Sequence, residues 1–254
     1  MSKVINIRNV RIGEGIPKII IPIVGINNAE LIEEVKGLRK IKFDMVEWRV
    51  DFYENVEDIE KVKEILFDIR KILSEVPILF TFRTKKEGGQ KEAPLEYYIK
   101  LNCEIAKTKQ VDLVDVELFT GDIVVKEIVD AAHKNGVKVV MSNHDFFKTP
   151  NQEEIVERLT NMINLKADIP KIAVMPVNES DVLTLLCATN EIKQNYEEQP
   201  IVTMSMSGMG VISRICGEFF GSVLTFGAAK KASAPGQIEV EDLNTVLEIL
   251  HKNK

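Results

Sequence analysis

The chain has 254 residues, 45% of them apolar and 28% charged, which predicts a soluble globular protein with a sizeable core. Its formal net charge of −6 disfavours a nucleic-acid-binding surface, because phosphate recognition needs concentrated lysine and arginine. Neither a membrane-spanning apolar run nor a signal peptide is evident, and Cys103, Cys187 and Cys216 lie far apart without a CxxC motif. We therefore expect a cytoplasmic protein in a reducing compartment, without disulfides and without a membrane partner.

The N-terminal segment 4–15 alternates weakly in hydrophobicity and has turn residues around Asn9, which predicts a short β-hairpin. From Lys18 onwards, β-rich apolar runs alternate with amphipathic helical patterns. The predicted strands are 18–25, 45–50, 77–83, 111–118, 137–144, 169–176, 200–205 and 222–226. The predicted helices are 29–40, with Asn28 as its N-cap, and 56–74, 93–109, 121–135, 152–166, 179–194, 211–219 and 240–251.

This alternation predicts the fold class. Near-continuous runs of Val, Ile and Leu are typical of strands in a parallel sheet covered on both faces. Eight strand–helix units within about 250 residues indicate a closed (β/α)8 TIM barrel, here a single domain over residues 1–254 that follows the short hairpin. A doubly wound open sheet is the alternative, although it usually has fewer strands.

Polar side chains collect at the predicted carboxyl ends of the strands, where barrels carry their chemistry. The period of two puts Glu47 with Arg49, Asp115 with Glu117, and Ser142 with His144 on shared faces. Further candidates in or after strands are Arg83, Glu87, Arg214, Ser233 and Gln237. A structural layer of ion pairs is an equally good interpretation for the acidic and basic residues of strands two and four.

Lys171 is the most distinctive of the candidates. It lies in the apolar run IPKIAVMP of strand six, and lysine is almost never fully buried unless something pairs with it or uses it. It either marks the solvent-facing start of the strand or acts as a desolvated nucleophile towards a carbonyl. Desolvation and the positive charge of Arg49, Arg83 and Arg214 would both lower the pKa of such a lysine. Its position near the amino end of the strand is unusual for a barrel, but a lysine reaches roughly 6 Å and barrel strands are staggered.

The sequence offers no motif for a metal or a cofactor. HExxH, a Cys/His cluster and a G-x-S-x-G elbow are absent, and the GxG at 208–210 lacks the third glycine of a dinucleotide fingerprint. We therefore expect neither a metal site nor a cofactor.

Seven short segments, in order from the second strand to the last loop, carry a resemblance to a known family. They are EWR at 47–49, TFR at 81–83 with Glu87, DVELFTGD at 115–122, SNHDF at 142–146, PKIAVMP at 170–176, MSMSGMG at 204–210 with SR at 213–214, and ASAPGQ at 232–237. In these segments the chain resembles the type I 3-dehydroquinases. The resemblance implies a hydro-lyase that converts 3-dehydroquinate to 3-dehydroshikimate in the shikimate pathway, without a cofactor and as a homodimer.

The resemblance also implies roles for the reacting groups. Lys171 would form an imine with the substrate ketone, and the protonated imine would act as an electron sink. His144 would remove the adjacent proton and later protonate the departing hydroxyl. Glu87 would orient His144 and set its tautomer.

For substrate binding, the resemblance implies that Arg214 pairs with the substrate carboxylate. Glu47, Arg49 and Arg83 would hold substrate hydroxyls and keep Lys171 partly neutral. The remaining expected contacts are a lid formed by Ser233 and Gln237, and apolar walls formed by Met204 and Phe226, which could equally be core residues. Two other functions stay open, a Schiff-base barrel of the aldolase type acting on a phosphorylated sugar and a non-catalytic binding protein on the same scaffold.

Overall fold

The computed structural model describes residues 4–229 and 235–254, and all structural statements here refer to them. In these ranges an antiparallel hairpin, β1 (Ile5–Ile7) and β2 (Val10–Ile12), precedes a barrel of parallel strands. The barrel strands are β3 (Lys18–Ile23), β4 (Met45–Arg49), β5 (Ile78–Thr81), β6 (Leu113–Glu117), β7 (Lys138–Asp145), β8 (Ile169–Val174), β9 (Val202–Ser205) and β10 (Leu224–Ala228). They pair in chain order, β10 pairs back onto β3, and a bridge between Ile201 and Ser222 links the β9 and β10 segments. The predicted hairpin and (β/α)8 barrel are confirmed.

Helices follow the strands and cover the outside of the barrel. They are α1 (Asn28–Gly37), α2 (Ile59–Ile72), α3 (Leu95–Thr108), α4 (Asp122–Lys134), α5 (Gln152–Asn164), α6 (Glu179–Asn195), α7 (Val211–Ile215), α8 (Gly217–Phe220) and α9 (Val240–Lys252). In α2, the Asp58 side chain caps the first turn, and Val62, Ile65 and Ile69 form the buried stripe. These helices pack on the outward-facing strand residues and form the larger of the two main apolar layers.

The structure corrects three details of the prediction. Asn27, not Asn28, caps α1 by accepting a hydrogen bond from the Glu30 N–H. The helix predicted at 211–219 divides at Cys216, whose backbone is not helical. The next residue, Gly217, lies so close to Ser222 that a Cβ at this position would be 2.4 Å from the Ser222 carbonyl oxygen. A short strand β11 (Ile238–Glu239), which was not predicted, pairs with β10 after the last loop.

The inside of the barrel is apolar at its amino-terminal end. Each strand contributes an inward residue to this floor, and the hairpin closes it from below with Ile5, Ile7, Val10 and Ile12. The strand residues of the floor are Ile20, Met45, Leu79, Leu113, Val140, Ile169, Val202 and Leu224. Arg8 fastens the hairpin, because its Nε lies 2.7 Å from Asp112 Oδ1 just before β6. The hairpin therefore excludes water from below the polar layer that the strands carry above this floor.

Ile12 gives a test of this closure, since it is fully buried in the floor. We expect Ile12→Ala to lower the free energy of unfolding by about 3 kcal/mol, because it removes buried methyl groups and leaves a cavity. Urea unfolding followed by circular dichroism measures the change. Ile123→Ala, at a side chain that is 84% exposed, is the matched control and should change stability by less than about 0.5 kcal/mol. Equal effects of the two substitutions would contradict the role of the hairpin.

Candidate active site

A cavity of about 180 Å³ lies above the apolar floor, at the carboxyl ends of the barrel strands. Nine of the residues expected from the sequence line it: Glu47, Arg49, Arg83, Glu87, His144, Lys171, Met204, Phe226 and Gln237. Five other residues, for which the sequence suggested no role, also line it: Gly88, Phe146, Ala173, Met206 and Pro235. Phe146 and Met206 lie within the family segments SNHDF and MSMSGMG. Their apolar side chains could not be distinguished from core residues by sequence alone.

Lys171 is the third residue of β8, only 4% exposed, and opposite Ser142 of β7 and Val202 of β9. Its Nζ lies 4.5 Å from the centre of the Phe226 ring and 3.9 Å from Glu47 Oε1. Burial is the main cause that lowers the pKa of Lys171, and Arg83 and Arg49 act in the same direction. Glu47 and Asp115 oppose them. The expectation that Glu47 helps to keep Lys171 neutral is therefore wrong, because a nearby anion favours the ammonium form.

Arg83 is the centre of a buried cluster of charges. Its Nη1 donates to Glu117 Oε1 and to Ser142 Oγ, each at 2.9 Å, and its Nη2 lies 2.8 Å from Asp115 Oδ1. Ser142 Oγ in turn donates to Asp115 Oδ1 at 2.7 Å. These carboxylates raise the pKa of Arg83 well above its usual value, although burial alone would lower it. The guanidinium therefore stays charged beside the cavity.

His144 and Glu87 form a close pair at the end of β7. Glu87 Oε2 accepts a hydrogen bond from the backbone N–H of His144 and lies 2.9 Å from His144 Nδ1. Burial, followed by the positive charges of Arg83, Lys171 and Arg49, lowers the pKa of His144 well below its usual value. A neutral His144 that donates Nδ1–H to Glu87 leaves Nε2 as a hydrogen-bond acceptor, the form that a general base requires.

The loop after β5 brings Glu87 to the cavity. Glu87 ends a single turn of helix, and Gly88 then adopts a left-handed conformation with a φ of +84° that disfavours other residues. At Gly89 a Cβ would lie 1.9 Å from the Arg83 carbonyl oxygen, so only glycine fits this return of the chain. Buried Asp51 supports the loop by accepting the Gln90 N–H, and it holds Arg49 through two hydrogen bonds of 2.8 Å.

Arg214, in α7, does not line the cavity but lies directly behind it. Its Nη1 contacts Met204 Sδ at 3.8 Å and its Nη2 donates to the Pro235 carbonyl oxygen at 3.0 Å, and both of these neighbours line the cavity. Within the described ranges no carboxylate lies within ion-pair distance of Arg214, and burial lowers its pKa to about 10. Ser233 falls outside the described residues.

Metal-binding clusters and membrane-spanning helices are both absent from residues 4–229 and 235–254. No group of three or more His, Cys, Asp or Glu side chains there could hold a metal ion. None of the helices there is both long and apolar enough to cross a membrane.

The fold and this cavity together define a (β/α)8-barrel enzyme whose polar groups meet at the carboxyl ends of the strands. The family model for type I 3-dehydroquinase matches residues 19–254. Over all of both chains, the sequence is 64% identical to the 3-dehydroquinate dehydratase of Clostridium botulinum. The chain belongs to the type I 3-dehydroquinase family.

Solved structures agree with this assignment. The crystal structure of the type I 3-dehydroquinate dehydratase from Clostridium difficile, with covalent modified comenic acid, matches at a TM-score of 0.97 and 58% identity, covering all of both chains. The 3-dehydroquinate dehydratase of Geobacillus kaustophilus matches at 0.95 and 37% identity, covering 98% of this chain and 97% of the other. The predicted family, fold and hydro-lyase activity are thereby confirmed, whereas the roles of individual residues stay predictions.

The balance of charges around Lys171 can be tested at Glu47, the carboxylate that most favours its ammonium form. We expect Glu47→Gln to lower the pKa of Lys171 further, while the amide oxygen still accepts the Thr81 hydroxyl that now donates to Glu47 at 3.0 Å. The rate of Lys171 acetylation by acetic anhydride against pH, followed by peptide mass mapping, should show a midpoint at lower pH. Glu57→Gln, at an exposed position, should leave the midpoint unchanged. A midpoint that rises in Glu47→Gln would contradict this electrostatic assignment.

Proposed function

We propose that this chain dehydrates 3-dehydroquinate to 3-dehydroshikimate through an imine on Lys171. The observation that carries the proposal is the buried Lys171, with a lowered pKa, in one cavity with a neutral His144 held by Glu87. A neutral amine is the form that attacks a ketone, and a neutral imidazole is the form that accepts a proton. The names of full-length relatives at 58–64% identity support 3-dehydroquinate as the substrate.

In the proposed first stage, the Lys171 amine adds to the ketone, and the carbinolamine takes up one proton from the solvent and loses one water to give the protonated imine. His144 is the group that moves protons between nitrogen and oxygen in this stage. Burial disfavours the ammonium form of Lys171 and so favours the uncharged amine that starts the reaction. Once the imine is protonated, Glu47 at 3.9 Å from Nζ stabilises the new positive charge. The same carboxylate that opposes a neutral lysine thus favours the later cation.

In the second stage, His144 Nε2 removes a proton from the carbon next to the imine, and the electron pair moves into the nitrogen to give an enamine. The electrons return to expel the β-hydroxyl, and the imidazolium gives its proton to that leaving group as water. Hydrolysis of the product imine consumes one water, frees the Lys171 amine and releases the proton that was taken up in the first stage. One water is therefore lost overall, and the enzyme returns to its starting protonation state.

The substrate carboxylate is proposed to bind at Arg214. Arg49 is already paired with Asp51, and Arg83 with Asp115 and Glu117, whereas Arg214 has no carboxylate partner in the parts of the chain that are described. Its Nε is buried without a hydrogen-bond partner there. A buried cation with unused donors is a strong attractor for a carboxylate, through paired N–H···O bonds. Met204 and Phe226 are proposed as apolar walls, and Gln237 and Ser233 as contacts from the last loop.

The remaining expectations extend this proposal. We propose that the chain works in the shikimate pathway, in the cytoplasm, as a single-domain protomer of a homodimer. Widely spaced free cysteines support a reducing compartment. The family resemblance supports the pathway and the dimer.

Borohydride trapping tests the imine. The protein incubated with 3-dehydroquinate and then reduced should gain one substrate adduct on Lys171, detected by intact mass and peptide mapping. Lys171→Ala should remove the adduct and lower kcat by at least about 10⁴-fold, because the covalent route is lost. Lys126→Ala, at an exposed lysine, should behave as the unchanged protein. Appreciable turnover in Lys171→Ala would exclude the imine mechanism.

His144→Ala tests the base. We expect kcat to fall about 10³-fold, within the usual range for loss of general acid–base catalysis, while imine formation continues slowly. Borohydride should therefore trap a substrate-derived adduct that accumulates on Lys171 during incubation. His133→Ala, which removes a partly exposed histidine bonded to Asp168, should leave kcat unchanged. Rapid turnover in His144→Ala would show that another group is the base.

A further inference from the structure

A chain of hydrogen bonds connects His144 to the outer helix α5. Arg158 Nη1 of α5 donates to Asn143 Oδ1 at 2.7 Å, and Asn143 Nδ2 donates to Glu87 Oε1 at 3.3 Å. Glu87 Oε2 then lies 2.9 Å from His144 Nδ1. Asn143 is 3% exposed and Arg158 is partly buried, held by an ion pair with Glu154 and by its position 5.3 Å from the Phe119 ring centre.

The chemistry of these groups fixes the direction of every bond in the chain. A guanidinium only donates, so the oxygen of the Asn143 amide must face Arg158 and its NH₂ must face Glu87. In its ionised form the Glu87 carboxylate only accepts, so it takes the Asn143 proton at one oxygen and the Nδ1 proton of His144 at the other. His144 Nε2 is then left without its proton. The direction of hydrogen bonding that begins at Arg158 therefore favours the His144 tautomer with its proton on Nδ1, which leaves Nε2 free to act as a base.

Asn143 is the single donor to Glu87 Oε1 within residues 4–229 and 235–254. The other oxygen, Oε2, receives the His144 backbone N–H and has Arg83 Nη1 at 3.5 Å. Without Asn143 the carboxylate keeps contacts at one oxygen and can rotate about its last bond. Rotation would turn the acceptor away from His144 Nδ1.

We propose that Asn143 and Arg158 are positioning residues that fix the orientation of Glu87 and, through it, the tautomer of His144. This inference rests on the proposed function, since it concerns the protonation state of the proposed base. Neither residue touches the cavity, so both act through Glu87.

The pH dependence follows from the charges that face the pair. Burial raises the pKa of Glu87 to about 8; Arg83 and the Asn143 hydrogen bond lower it, and Glu117 and Asp115 raise it. His144 is faced by Arg83, Lys171 and Arg49. Loss of the Asn143 donor raises the pKa of Glu87 further, so its ionised form is present only at higher pH. The acid limb of the kcat profile should move to higher pH.

The sharpest test is Asn143→Asp, which keeps the side-chain volume but replaces the NH₂ donor by an oxygen. We expect kcat at neutral pH to fall about tenfold, the effect of losing a hydrogen bond to a charged group, with the acid limb shifted to higher pH. Asn161→Asp introduces the same charge at an exposed position of α5 and should leave both kcat and the acid limb of its pH profile unchanged. Arg158→Met, which keeps the apolar stem, should also lower kcat, with circular dichroism and thermal melting showing a folded protein.

The double variant Glu87→Gln, Asn143→Asp exchanges the carboxylate and the amide. The introduced amide would donate its NH₂ to the introduced carboxylate and accept the His144 Nδ1–H at its carbonyl oxygen, so the direction of the chain is restored. We expect the kcat of the double variant to exceed that of Asn143→Asp alone by about tenfold, a non-additivity that a packing role would not produce. Nitrogen-15 NMR of the His144 ring should show a protonated Nδ1 in the unchanged protein and in the double variant.

An unchanged pH profile in Asn143→Asp, or a double variant no more active than the product of the two single effects, would overturn the inference. If either result occurs while the unchanged protein still forms the borohydride adduct on Lys171, the proposed function stands and the positioning role fails. Absence of that adduct in the unchanged protein would remove the proposed function and this inference with it.

Discussion

The buried guanidinium of Arg83 is the interaction on which the site depends. Removing ions from water costs several kcal/mol each, so Asp115, Glu117 and Arg83 can share the barrel interior only as a bonded cluster. The same cation acts to lower the pKa of Lys171, of His144 and of Glu87, although burial raises the pKa of Glu87 overall. A neutral amine, a neutral imidazole and an ionised carboxylate are the three forms that the proposed imine mechanism requires. One fixed charge thus biases all three of these groups towards the forms that the proposal needs.

The barrel makes this bias effective by keeping water out. Its inward side chains change from apolar to charged within two residues of a strand, as from Met45 to Glu47 or from Leu113 to Asp115. The hairpin closes the apolar end, so the charged layer borders on hydrocarbon below and on the substrate cavity above. Charges in such a place interact more strongly than in water. Burial therefore dominates the lowered pKa values of Lys171 and His144, and neighbouring charges adjust them.

Much of this arrangement could be predicted from local pattern, because strand alternation and helix periodicity are local properties. The shared faces of Glu47 with Arg49 and of Ser142 with His144 follow from the period of two and from the ordered family segments. The contact between Glu47 and Lys171 could not be predicted, since it depends on a distance between β4 and β8. The contact between Asn143 and Arg158 could not be predicted either, because it depends on how helix α5 packs against strand β7.

The distribution of charge across the cavity also orients an anionic substrate. Acidic groups concentrate on the side of β4 to β7, where the buried carboxyl groups of Glu47, Asp51, Glu87, Asp115 and Glu117 outnumber Arg49 and Arg83. Behind the opposite wall, Arg214 follows β9 and contacts a thioether and a carbonyl oxygen. In the proposed complex, a substrate with one carboxylate would be repelled by the first side and attracted by Arg214, so its carboxylate would point towards α7. Its uncharged ring would then face Lys171 on β8 and His144 near the end of β7. The proposed orientation by charge and activation by burial therefore depend on the same feature, the buried charges around one cavity.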